Sequence, residues 1–112
     1  MSTEYASPAD LAINEVEDSA EDVILPNGKK VRVRGLTRYE LVLAGKGTED
    51  NELIERRNLA MALVQPKMTE AQVEAFQRAA KGPTLKAITD KVRELSGLNE
   101  GAGKSDVDEV RD

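Results

Sequence analysis

Val23-Ile24-Leu25-Pro26-Asn27-Gly28-Lys29-Lys30-Val31-Arg32-Val33-Arg34, continued by Gly35-Leu36-Thr37-Arg38-Tyr39-Glu40, is the stretch on which the fold turns. Val31 and Val33 alternate with Arg32 and Arg34 at strand period, so one face is apolar and the other basic. Asn27-Gly28 favours the positive φ angles of a hairpin turn, and the expectation is strand, turn, strand. An isolated hairpin is marginal in water, so its apolar face needs a surface to lie on. The residues that follow supply one. Thr37 is placed to cap a helix start, and Glu40, three residues on, is placed to return the bond.

Working outward, the helix opened by Thr37 runs through Leu41, Val42 and Leu43 and is expected to stop near Gly45 and Gly47. A second helix is expected from about Asp50 or Asn51 to Val64, ended by Pro66. Its Leu53, Ile54, Leu59, Ala60, Met61, Leu63 and Val64 cover more of the helix circumference than an ordinary core stripe. Such a helix is either central to a small bundle or packs one flank inward and offers the other to a partner. Thr69 and Gln72 form a second capping box before Val73, Phe76, Ala79 and Ala80. Pro83 suits a first helical turn, and Leu85, Ile88, Val92 and Leu95 then make the clearest amphipathic stripe in the chain, stopped by Gly97. The fold class expected is mainly α: a small domain of about four helices with an N-terminal β-hairpin, spanning residues 23–98.

The chain has 112 residues, enough for one domain and too few for two. Residues 1–22 carry seven acidic side chains and no basic one, with few large apolar residues, and read as a flexible acidic segment that offers a helical turn through Leu11, Ile13 and Val16. Residues 99–112, rich in glycine and acid, read as a disordered tail. The middle is mildly basic by contrast, so the acidic ends either keep the domain soluble or screen its basic surface until a partner displaces them.

The chain has no cysteine and no histidine. That removes disulfides, thiolate nucleophiles, the common zinc sites and the usual general base near neutral pH, and the expectation is no enzyme, no metal and no cofactor. Gly103-Lys104-Ser105 resembles the end of a phosphate-binding loop, but Leu98 stands where the motif needs its first glycine. Lys29, Lys30, Arg32, Arg34 and Arg38 form a basic patch, yet the chain's net charge is −5 and only three residues are aromatic, which disfavours nucleic acid. No apolar run approaches the ~20 residues of a membrane helix and no signal peptide pattern opens the chain, so a cytoplasmic protein is expected.

Four segments, taken in order, resemble the tail assembly chaperones of siphovirus-type bacteriophages: Val33 to Glu40, Glu55-Arg56-Arg57-Asn58-Leu59-Ala60, Leu63 to Thr69, and Leu95-Ser96-Gly97-Leu98. The resemblance covers roughly residues 23–104. It implies a binding protein of the host cytoplasm that keeps the tape measure protein soluble while the tail tube assembles, and that is not retained in the mature virion. It also implies the tail tube protein and further copies of the chain as associates, and a longer form made by ribosomal frameshifting, for which Gly103-Lys104 is a candidate site. The partner surface expected is Leu59, Met61 and Leu63 with Val73 and Phe76, while Arg32, Arg34 and Arg38 mark the basic patch. The alternatives are a head or tail completion protein that stays in the virion, and a small nucleic-acid-binding regulator.

Overall fold

The computed structural model describes residues 4–98. The expected tail at 99–112, with Gly103-Lys104-Ser105, lies outside them. The described chain runs α1 (Pro8–Leu11), β1 (Glu21–Ile24), β2 (Lys30–Val33), α2 (Arg38–Gly45), α3 (Asn51–Ala62), β3 (Leu63–Gln65), α4 (Glu70–Ala79) and α5 (Gly82–Leu95). The domain is therefore mixed, with five helices and a three-stranded antiparallel sheet among the described residues.

The hairpin forms where the sequence places it. Val23 pairs with Val31 and Asp22 with Arg32, and Gly28 takes φ +88° in the turn, a region open to glycine because it has no Cβ. β1 begins at Glu21, two residues before the expected start, because Glu21 continues the ladder opposite Val33. Helix starts follow the capping chemistry. Thr37 Oγ1 accepts from the Glu40 N–H at 3.1 Å, Thr69 Oγ1 accepts from the Gln72 N–H at 3.2 Å, and Asp50 caps α3 through the Glu52 and Leu53 N–H groups.

The end of α3 departs from expectation. The helix stops at Ala62, and Leu63–Gln65 turns into a third strand beside β2. Leu63 and Val64 fit a helical period as well as a strand, so local pattern did not separate the two. What decides is long-range. Leaving the helix early lets Leu63 pair with Val33 and lets the Ala62 carbonyl accept from the Arg34 N–H at 3.0 Å. β2 then has hydrogen-bonding partners on both sides, as buried backbone groups require. Pro66 also biases Gln65 toward extended backbone.

The core is aliphatic, as the composition requires. Val33, Leu36, Leu59, Leu63, Val73 and Ile88 are its largest fully enclosed side chains. Ile88 and Val92 bring the inner stripe of α5 against β1 and β2, with Leu85 and Leu95 half-buried at its margin. α3 lies between α2 and α4 and runs directly into the sheet, so the bundle-centre alternative for this helix is the one realised. Polar contacts tie it on both flanks: Arg57 donates to the Ala44 and Lys46 carbonyls at the end of α2, and Arg56 and Glu55 meet Gln77 of α4.

One junction joins the remaining parts. Gly35 sits so close to the end of α5 that a Cβ on it would come within 2.9 Å of the Ser96 nitrogen and nearer still to the Leu95 carbonyl. Two hydroxyls staple the flanking backbone. Ser96 Oγ accepts from the Leu36 N–H at 2.8 Å and donates to the Val92 carbonyl, while Ser19 Oγ accepts from the Gly35 N–H at 2.8 Å and donates to the Val16 carbonyl. Through Ser19 and the buried Val16, the acidic N-terminal segment is anchored on the domain.

Candidate partner-binding groove

The surface expected for a partner is largely not a surface. Leu59, Leu63 and Val73 are 1%, 1% and 0% exposed, because α3 is central and Leu63 belongs to the sheet. Phe76 is half-buried against the same core. Met61 is half-buried too, and it lines a hollow with Leu43, Ala60 and the charged Arg34, Arg57, Lys67 and Glu70. These five residues are brought into or onto one core; they do not form an exposed apolar flank.

The basic patch is mostly neutralised. Arg32 pairs with Asp22 at 3.0 Å, which Lys30 also approaches at 3.7 Å. Arg34 forms a two-pronged pair with Glu40 at 2.8 and 3.0 Å, and the same carboxylate closes the Thr37 cap. The Arg34 hydrogen bond holds the Glu40 carboxyl below the usual carboxylate range, outweighing its partial desolvation, and Glu40 raises the guanidinium in return. Arg38 alone of the three arginines is exposed without an ion pair among the described residues.

Exposed apolar side chains also stand on α2. Tyr39, Val42 and Leu43, at spacings of three and four, share a helix face and are 70%, 52% and 38% exposed. Single exposed aliphatics are ordinary on proteins, whereas a contiguous set invites a partner. Leu41 of the same helix walls a groove of about 220 Å³ between α2, α3 and α5, together with Ile54, Leu59, Val92 and Leu98. Toward α2 it opens into a second hollow lined by Arg38, Leu41, Val42, Ser96 and Leu98.

Polar groups mark the groove's edges. Arg93 on α5 lines the groove and Arg38 on α2 lines the adjoining hollow, neither in an ion pair among the described residues. Glu55, the acid on the wall, accepts from Gln77 Nε2 at 2.8 Å. The Asn58 side-chain oxygen is buried in the α3 wall with no hydrogen-bond partner among the described residues. An unmet acceptor of this kind costs about 1–3 kcal/mol.

The sequence held a signal for this face. Tyr39 and Val42-Leu43 follow directly on the Thr37 cap, but a short helix with consecutive apolar residues gave no reason to prefer outside to inside. Among the described residues, no group of three His, Cys, Asp or Glu side chains is placed to hold a metal ion, and no helix is long and apolar enough to cross a membrane. What the groove can do chemically is bury an apolar side-chain row and attract carboxylates at Arg93 and Arg38. No family model, no curated protein and no solved structure matches the chain, so its own residues carry the functional reading.

Proposed function

We propose that the chain is a tail assembly chaperone of the siphovirus type, which binds helical segments of the tape measure protein and keeps them soluble while the tail tube forms. The observation that carries the proposal is the exposed Val42 in the hollow it shares with Leu41 and Leu98, beside the groove between α2, α3 and α5 that the same two leucines line. A tape measure is a long helical polypeptide with apolar seams, and a helix presenting residues at i, i+3 and i+4 docks in such a groove by side-chain packing alone. The segments that suggest the family have matching work in this fold. Val33 to Glu40 and Leu95 to Leu98 meet at the Gly35 junction, and Glu55 to Ala60 spaces α3 from α2 and α4. Residues on which the resemblance rests thus build the groove and its supports.

The proposal needs no reaction. Affinity would come from apolar burial, at about 25 cal/mol per Å² removed from water, diminished by the cost of ordering the bound segment. Each contact is modest, and many copies along one tape measure would supply the avidity. Co-expression tests it. The tape measure protein should accumulate in the soluble fraction with the wild-type chain and in the pellet with Val42→Asp, whose side chain is exposed and leaves the core intact. Equal solubility with both, or with neither, would contradict the proposal.

A further inference from the structure

We infer that a second copy of this chain lays its acidic N-terminal arm, residues 4–15, in the groove between α2, α3 and α5. The inference does not rest on the tape measure reading, although both occupants would compete for the one groove, and its test uses this chain alone.

The arm is built like a ligand. Tyr5, Leu11 and Ile13 are 102%, 78% and 64% exposed, three apolar side chains held away from their own domain. Their neighbours Glu15, Glu17 and Asp18 make no ion pair among the described residues. At the arm's base, Asn14 Oδ1 accepts from the Val16 N–H at 2.9 Å, and Ser19 fixes the chain to Gly35 at 2.8 Å. This anchored turn sends the preceding residues off the body while the groove of the same molecule stays open.

The groove is complementary. Its walls are apolar at Leu41, Ile54, Val92 and Leu98, and its free charges, Arg38 and Arg93, are cationic. An arm with acids around Leu11 and Ile13 matches that pattern, whereas the rest of the described residues offer no other exposed apolar segment bearing only negative charge. Because each copy carries one arm and one groove, two reciprocal contacts close a two-fold dimer and leave neither element unpaired.

Sedimentation equilibrium of the full chain, from low to high micromolar concentration, tests the inference. The expected result is an apparent mass that doubles with concentration, a dimer that weakens as salt screens the arginine rims, and loss of the dimer in both Leu11→Asp/Ile13→Asp and Arg38→Glu/Arg93→Glu. All four side chains are exposed, so far-ultraviolet circular dichroism should be unchanged and a folding defect is distinguishable. Mixing the two variants should restore association, since one intact arm and one intact groove remain. A wild-type chain that stays monomeric at every concentration overturns the inference. So does a dimer indifferent to the arm substitutions, which would place some other face at the interface.

Discussion

Replacing Gly35 by alanine should be the most damaging single-methyl change in the chain. The added Cβ would stand within 2.9 Å of Ser96 N and closer still to the Leu95 carbonyl, and all of these are backbone atoms that cannot rotate aside. Relief requires the end of α5 to move off the β2–α2 connection. Overpacking of this kind costs about 1–3 kcal/mol. The same movement stretches the Leu36 to Ser96 hydrogen bond, now 2.8 Å, whose loss adds about 1 kcal/mol. The sum is roughly 2–4 kcal/mol, a large part of the stability of a domain this size. Urea unfolding followed by circular dichroism should show the midpoint falling with the slope preserved. Gly28→Ala is the control: it has positive φ at +88° but nothing within 4 Å of the added carbon. It should cost only about 1 kcal/mol, the penalty of left-handed backbone alone. If Gly35→Ala is no worse than Gly28→Ala, the close approach is not a structural constraint and the account of the junction fails.

Three further outcomes follow from the same contacts. Ser96→Ala removes the acceptor of the Leu36 N–H and should lower stability by about 1–3 kcal/mol, with faster amide exchange at Leu36 as the local reading. Leu63→Asp should unfold the domain, because that side chain is 1% exposed beside Val33, while Val42→Asp should leave the circular dichroism unchanged. Glu40→Gln should flatten the acid limb of the stability curve. Its carboxyl sits below the ordinary glutamate range in the folded chain, so the pair with Arg34 stabilises fully above the unfolded value and is lost as pH falls through the lower folded one. After solvent screening the difference is about 1 kcal/mol at neutral pH, shrinking toward zero in acid; a difference that grows in acid would reverse the sign of the argument.

Local chemistry was legible. The hairpin turn at Asn27-Gly28, the caps at Thr37, Asp50 and Thr69, and the stripe of Leu85, Ile88, Val92 and Leu95 are written in side chains that act on their own neighbours. Features settled by distant partners were not. Leu63 and Val64 suit either helix or strand, and only the open edge of β2 decides. The same holds for the site. The surplus apolar residues of α3 suggested an exposed flank, but α2, α4 and the sheet enclose that helix and use the surplus as core. The exposed row instead falls on α2, whose inner side is held by Ala44 and Leu41. The stapling role of the serine hydroxyls at positions 19 and 96 was not legible, since each bonds a backbone group of a different segment.

Val42 with the groove at Leu98 is the centre of the account, and an amide-shift titration addresses it directly. Adding a helical tape measure fragment to the isotope-labelled chain should move the resonances of α2, Arg93 and Leu98 and leave those of β1 and the outer side of α4 in place. Shifts confined to the sheet, or none at saturating fragment, would mean that the groove is not where this protein meets its partner.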